Sequence, residues 1–407
     1  MYIYKAAVIG AGTMGAQIAQ VISYSGLPVI LKDVNQEAVN RGIETVRKIY
    51  QGRVEKGKMT SGDMEQKMAL VNGATGYQDF SDVDIVIEAI FEDVKVKQKL
   101  FLELEGVCPA GTIFATNTSS LSISAIASAV KKQDKVIGMH FFNPAHVMKL
   151  IEVIPGLATS SETVDDVVAL SESLRKIPIK VQECPGFLVN RLLMPYLNEA
   201  AIALGESAQP IQAMKQADEM ILKMGMPMGP YTLSDMIGID ISEKVSDILY
   251  DAYGPRMAPA PLIGELVKAK RLGQKNGAGF YSADPAKEKE LETLIKGAQA
   301  KEKIKNTSIS TERLIYPMIN EAVLTLQEGI ATASDIDIAM LAGVGFPQDK
   351  GGPLHYADQI GIDVVLSKLE ELTKTSGSRF WPAYRLKKMV GAGYLGVKTK
   401  KGFFNYE

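Results

Sequence analysis

The chain is 407 residues long, 46% hydrophobic and 23% charged, with a formal net charge of −2. That length and composition suit a globular protein of two or three domains with sizeable cores. The balanced charge excludes a global pull toward nucleic acid or an anionic membrane, so any anion site has to be built from local cations.

From the N-terminus, apolar runs at 6–9, 29–31, 85–87, 113–115 and 136–139 read as buried parallel strands. Helical patterns such as 14–25 and 95–105 separate them. The alternation over residues 1–184 predicts a Rossmann-type doubly wound α/β sheet with helices on both faces. A helical excursion at 35–70 interrupts it, rich in charge and carrying Arg47, Lys48, Arg53, Lys56 and Lys58. The opening MYIYKAAVIGAGTMG runs directly into a strand and a glycine loop, a pattern expected of a chain without a signal peptide. No run of about 18 apolar residues occurs, so no membrane span is expected. Two cysteines, Cys108 and Cys184, do not make a disulfide framework and suit a reducing, cytoplasmic setting. Neither CxxC nor HExxH occurs, and no metal site is expected.

After Cys184-Pro185-Gly186 the strand patterns stop and helical periodicity takes over. Residues 185–284 are expected to form a helical domain, 285–306 a charged helical linker, and 307–407 a second helical domain that repeats the first. RLLMPYLNEAAIAL (191–204) matches RLIYPMINEAVLTL (313–326), and Gly238-Ile239-Asp240 matches Gly361-Ile362-Asp363. Gly229-Pro230 matches Gly352-Pro353, and Gly279-Phe280-Tyr281 matches Gly402-Phe403-Phe404. One offset of 122 to 123 residues holds across these landmarks, which marks a duplication. Two matching copies are expected to pack about a local two-fold axis, as subunits of a symmetric dimer do.

The first strand ends in Gly10-Ala11-Gly12-Thr13-Met14-Gly15. A GxGxxG loop between a strand and an amphipathic helix is the context a dinucleotide needs. Gly10 serves the tight turn, Gly12 the approach of a pyrophosphate, and Gly15 close helix–strand packing. The helix start supplies N–H groups and a positive dipole end to the phosphates. Asp33, at the end of the second strand, is placed to accept from ribose hydroxyls and to repel a 2′-phosphate, which favours NAD over NADP. Its neighbour Lys32 would tolerate such a phosphate.

The three histidines are His140, His146 and His355. His140 ends a strand inside HFFNP, and Glu152 follows twelve residues later in a second apolar run. Two strands joined by the intervening loop would bring them together, imidazole as proton acceptor and carboxylate as its orienter. A strand-end histidine also serves as a structural hydrogen-bond partner, and spacing does not separate the two roles. Asn117-Thr118-Ser119-Ser120 follows another strand at the crevice side of the sheet, where its groups either meet ligands or cap the next helix. Glu88 and Glu92, after the 85–87 strand, are candidates for the nicotinamide ribose or solvated loop acids.

With these residues in view, the chain resembles the L-3-hydroxyacyl-CoA dehydrogenases, including 3-hydroxybutyryl-CoA dehydrogenases. The strings that carry the resemblance are VIGAGTMGAQIAQV (8–21), VIEAIFEDVKVKQKLF (86–101), NTSSLSI (117–123), GMHFFNPAHVMKLIEVI (138–154), PGFLVNRLL (185–193) and MGMPMGPYTLSDMIGID (224–240). The second copy, with GFPQDKGGP (345–353), resembles the dehydrogenase part of multifunctional fatty-acid oxidation enzymes, without room for their hydratase/isomerase domain.

The resemblance implies reversible NAD-dependent oxidation of a 3-hydroxyacyl-CoA to a 3-ketoacyl-CoA in fatty-acid β-oxidation or a related lipid pathway. It implies His140 as general base and acid with Glu152 as partner, and Ser119 and Asn190 bonded to the substrate's 3-oxygen. Gly10, Gly12, Thr13, Met14, Gly15 and Asp33 would hold the cofactor, with Glu92, Lys97 and Asn117 at its nicotinamide half. Arg53, Lys56 and Lys58, with Ser119, would meet the acyl-CoA. In the second copy Glu312 stands where Asn190 does and no glycine loop precedes it. That copy is expected to lack a site and to replace a dimer partner, leaving a monomer. Two alternatives stand beside this reading: a CoA-free hydroxy-acid dehydrogenase of the same superfamily, and a catalytically silent NAD-binding protein.

Overall fold

Strand β1 (Ala6–Ile9) is four apolar residues, all buried, as a strand covered on both faces has to be. It leads through the glycine loop into α1 (Thr13–Tyr24), β2 (Val29–Lys32), α2 (Gln36–Glu55), α3 (Ser61–Met68) and β3 (Val71–Ala74). Then come β4 (Ile85–Glu88), α4 (Val94–Glu105), β5 (Ile113–Thr116), α5 (Ile123–Ala127), β6 (Val136–Phe141), β7 (Leu150–Pro155), α6 (Ser161–Ser173) and β8 (Ile177–Lys180). This computed structural model describes residues 2–299 and 309–407.

The strands form one eight-stranded sheet in the order β3-β2-β1-β4-β5-β6-β7-β8. All neighbours pair in parallel except β6 and β7, which are antiparallel. Chain order reverses between β1 and β4, so a crevice opens beyond their carboxyl ends. The expected strands are present: β1 has the expected bounds, and β2, β4, β5 and β6 each run one or two residues further. The two strands not expected, β3 and β8, are the sheet's edges. Their sequences, VNGA and IPIK, are only partly buried and show no apolar run. The helical excursion is α2 and α3. Asn35 caps the first by accepting from the Ala38 N–H at 2.9 Å, and Thr60 and Asp63 form a capping box on the second.

Contacts divide the chain into two compact units between Phe187 and Leu188. The second unit is helical: α7 (Val189–Gly205), α8 (Pro210–Met224), α9 (Pro230–Ile237), α10 (Ile239–Tyr253), α11 (Pro261–Lys268) and α12 (Pro285–Gln299). The second copy follows as α13 (Thr311–Gln327), α14 (Ala333–Gly343), α15 (Pro353–Ile360), α16 (Ile362–Ser376) and α17 (Tyr384–Gly391). The stretch expected as a linker is a helix through Gln299 that buries Leu291 and Ile295, so it is part of the core. Its remainder, 300–306, lies outside the described residues.

The two copies, expected as separate domains, are one unit because they exchange buried charges. Arg191 of α7 pairs with Glu321 of α13 and with Glu328, the residue that ends it, both at 2.7 Å. Arg313 of α13 pairs with Glu199 of α7 at 2.6 Å and with Glu206, the residue that ends it, at 2.7 Å. Arg256 reaches Glu321 at 3.2 Å, and Arg379 reaches Glu199 at 2.9 Å. Arg191 and Arg313, Glu199 and Glu321, and Glu206 and Glu328 are each 122 residues apart, and Arg256 and Arg379 are 123 apart. Each bond therefore has its counterpart across an internal two-fold relation.

Candidate active site

The glycine loop has the geometry that a bound pyrophosphate requires. Gly10 sits at φ +99°, and a Cβ there would lie 2.6 Å from the Ala89 carbonyl oxygen. A Cβ on Gly15 would lie 1.7 Å from the Gly10 oxygen, so only glycine lets α1 start this close to β1. At Gly12 a Cβ would meet nothing within 4 Å, which leaves room for phosphate oxygens over the start of α1. Thr13 and Met14 form the first turn of that helix. Asp33 accepts from the Ala11 and Val34 N–H groups, both at 2.7 Å, which aims its carboxylate beside the loop. Lys32 points elsewhere: it is buried with its ammonium 4.4 Å from the Tyr77 ring centroid. Burial lowers its pKa, against the opposing charges of Asp33 and Glu103. These residues fit NAD and place no cation for a 2′-phosphate.

At the far strands the antiparallel register sets His140 directly opposite Glu152. His140 Nδ1 lies 2.7 Å from Glu152 Oε2, with the residues 7% and 1% exposed. Low exposure makes that bond rigid, and a carboxylate at Nδ1 selects the tautomer that leaves the Nε2 lone pair for a substrate proton. The rings of Phe142 and Phe187 pack on the imidazole at 4.5 and 5.9 Å between centroids. Asn117 accepts from the Phe141 N–H at 2.8 Å, tying the loop after β5 to the strand of His140.

Glu92 organises the next part. Its Oε1 accepts from Thr118 Oγ1 at 2.6 Å and from the Ser119 N–H at 2.9 Å, and its Oε2 lies 3.4 Å from Lys97 Nζ. Ser119 Oγ also reaches Glu92 Oε1, at 3.3 Å. The NTSS hydroxyls are not the cap of the next helix. Ser122 caps α5, while Thr118 Oγ1 accepts from the Leu121 N–H inside the loop. Lys97 is 1% exposed and 2.7 Å from Glu88. Glu88, a candidate for the nicotinamide ribose, is a structural acid: it is wholly buried, with one oxygen on Lys97 and the Ile90 N–H and the other on Thr116 Oγ1.

Two features escaped sequence reasoning. Gln17, buried on α1, accepts from the Ala145 N–H at 2.5 Å and so links the cofactor helix to the loop after His140. Lys176 donates to the Ala145 and Met148 carbonyls of that loop at 2.5 and 2.7 Å. Both bridge distant chain segments, and no local pattern announces them. The CoA candidates stand apart from His140 in sequence: Arg53 lies in the last turn of α2, and Lys56 and Lys58 are exposed just after it. Asn190 is half-buried in the first turn of α7, in the helical unit.

Residues 5–184 match the family described as 3-hydroxyacyl-CoA dehydrogenase, NAD binding domain. Residues 186–283 and again 310–406 match its C-terminal domain, which independently marks the duplication. A 3-hydroxybutyryl-CoA dehydrogenase from Escherichia coli superposes with a TM-score of 0.84 at 32% identity, covering 97% of this chain and 100% of that one. The dehydrogenase part of multifunctional enzyme 1 from C. elegans superposes with a TM-score of 0.67 at 30% identity, covering 95% of this chain and 90% of that one. The glyoxysomal fatty acid beta-oxidation multifunctional protein MFP-a of Cucumis sativus is 36% identical over 98% of this chain and 55% of its own length. The chain thus spans about half the length of the curated relatives it matches. Glycine loop, strand-paired histidine and duplicated helical unit all lie within the matched residues, and the chain belongs to the 3-hydroxyacyl-CoA dehydrogenase family.

Proposed function

We propose that the chain interconverts a 3-hydroxyacyl-CoA and the 3-ketoacyl-CoA, with His140 as the group that takes and returns the hydroxyl proton. The observation that carries this reading is the buried 2.7 Å contact between His140 Nδ1 and Glu152 at the end of β6. In the oxidative direction Nε2 accepts the 3-hydroxyl proton, and Glu152 stabilises the imidazolium that forms. In the reductive direction the imidazolium returns that proton to the 3-oxygen. Ser119 donates to the same oxygen, and Glu92 holds the Ser119 backbone in place. NAD, when bound, supplies the two-electron acceptor. Gly10, Gly12, Thr13, Met14 and Gly15 hold its phosphates, Asp33 its adenosine ribose, and Glu92 and Asn117 its nicotinamide half. Lys97 acts on it through Glu92. Lys56, Lys58 and Arg53 attract the CoA phosphates.

NADH consumption with acetoacetyl-CoA tests this, with NADPH and free acetoacetate as controls. Activity confined to NADH and the thioester is the expected result. Activity with free acetoacetate at the same rate would move the reading to a CoA-free hydroxy-acid dehydrogenase. NADH binding without turnover on either substrate would leave a silent NAD-binding protein.

We also propose that one chain suffices. The reciprocal Arg–Glu bonds between copies support this, since they fill from within one polypeptide the contacts that two subunits would otherwise exchange. Sedimentation equilibrium should give a monomer, and a tight dimer joined through residues 307–407 would refute it. Two plant relatives are named glyoxysomal and peroxisomal. A cytoplasmic place for this chain is a proposal, which fractionation checks.

A further inference from the structure

Gln17 is a polar side chain in a place filled mostly by apolar ones. Its neighbours Ala16, Ile18, Ala19, Val21 and Ile22 are buried in the core, and Gln17 itself is only 7% exposed. Burying a side-chain amide is unfavourable unless its oxygen and nitrogen both find partners. Here both partners lie on the loop between β6 and β7. Gln17 Oε1 accepts from the Ala145 N–H at 2.5 Å, and Nε2 points to Asn143 Oδ1 at 3.4 Å. Those residues are 128 and 126 positions away along the chain.

Ala145 is 1% exposed, while Pro144 and His146 on either side of it are exposed. Side chains from two other segments take its backbone groups. Gln17 takes the N–H, and Lys176, just ahead of β8, donates to the carbonyl at 2.5 Å. Lys176 fastens the loop to the edge of the sheet, whereas Gln17 fastens it to the helix that begins at the glycine loop. Gly12 is the N-cap of that helix and has no side chain to bond the first N–H groups. A dinucleotide's pyrophosphate is their acceptor, so bound cofactor firms the first turn of α1. Gln17 stands four residues past Thr13, about 6 Å along the axis, and in an α-helix its own N–H bonds back to Thr13.

We propose that Gln17 is a positioning residue for the reaction: it holds the β6–β7 loop, and with it His140, in register with the cofactor bound at the start of α1. This rests on the reading of His140 as the proton carrier. Proton and hydride have to reach the oxygen and the carbon of a single C–O bond. Base and cofactor are therefore set against each other closely, and a misplacement of about 1 Å costs on the order of 10²-fold in rate. His140 is one residue from the end of β6, and the loop that follows is tied by Gln17 to the cofactor's own helix.

Gln17→Met keeps the length of the side chain and removes both hydrogen bonds. It should lower kcat for reduction of acetoacetyl-CoA by roughly tenfold to a hundredfold, with KM for the thioester changed less than about twofold. Deuterium at the transferred position of NADH should slow this variant more than the parent, because hydride transfer becomes the slow step. Gln17→Glu keeps an acceptor for the Ala145 N–H and should restore kcat, at saturating NADH, to within about threefold of the parent. Unchanged kcat in Gln17→Met, a loss carried by KM alone, or an equally deep loss in Gln17→Glu overturns the proposal. A second measurement needs no variant. Amide hydrogen exchange at Ala145 of the parent chain should slow on adding NADH, by a larger factor than exchange in β8 at the far edge of the same sheet. Exchange at Ala145 that NADH leaves unchanged, or slows no more than in β8, overturns the proposal as well. The exchange measurement uses no thioester. A parent chain inactive on acetoacetyl-CoA would therefore refute the proposed reaction, while the link through Gln17 is judged by exchange alone.

Discussion

Among the described residues there are two histidine–carboxylate pairs of nearly the same length, and only one stands in the proposed active site. His140 Nδ1 is 2.7 Å from Glu152, and His355 Nδ1 is 2.8 Å from Asp337. Asp337 has other work: it also accepts from the Leu354 and His355 N–H groups, and so caps the start of α15. In the first copy Asp218 does the same for Tyr231 and Thr232, with the Thr232 hydroxyl at 2.7 Å where the second copy has its imidazole. His355 is therefore a helix-cap ornament, stacked on Phe404 at 3.7 Å between centroids and 37% exposed at its side chain. His140 comes from a strand end beside a polar loop and a dinucleotide fold. The short contact is common to both; what surrounds it separates the proposed proton carrier from a cap.

The sharpest way to break this contrast is to remove each imidazole. His140→Ala should lower turnover by roughly 10²–10⁴-fold while NAD affinity, measured by fluorescence titration, stays intact. His355→Ala should leave turnover unchanged, and a comparable fall there would erase the distinction. Glu152→Gln should cost turnover by roughly 10²-fold, because the amide no longer stabilises the imidazolium. Asp337→Ala should act on stability alone, with a loss of about 0.5–2 kcal/mol in urea unfolding, since two helix-start N–H groups lose their acceptor. The smallest effect is expected from His355→Thr, which copies the first repeat and should change stability by less than about 0.5 kcal/mol.

A pH measurement sharpens the same contrast. Burial pushes the Asp337 carboxyl up to about 6 from its ordinary 3.8, against the lowering effect of its hydrogen bonds. Between those values the folded state holds a proton that the unfolded chain has released, so the Asp337 contribution to stability falls as pH rises from about 4 to about 6. Asp337→Asn should flatten that part of the stability profile. An unchanged profile would place the carboxyl in water.

Much of this was legible in the sequence where pattern and structure share a period. The central strands are uninterrupted apolar runs because both their faces are buried, and the duplication showed as one constant offset. The edge strands β3 and β8 were not legible, since a half-exposed strand carries no such run. His140 and Glu152 were legible as a pair because strand–loop–strand spacing brings them together. Glu88 was not, because spacing says nothing of whether a carboxylate after a strand turns to the crevice or back onto a lysine nine residues on. The Arg–Glu exchange between copies was hidden for a related reason. Its partners are more than a hundred residues apart, and only packing of α7 against α13 reveals them.

That exchange has a consequence for how the helical unit responds to dilution. Two separate subunits held by such bonds would part as their concentration fell below the dissociation constant. Here the two surfaces belong to one polypeptide, and their encounter is governed by an effective concentration and not by the concentration of the protein. The pairing is thus independent of how much protein the cell makes. The second copy serves the first as a permanently attached counterweight.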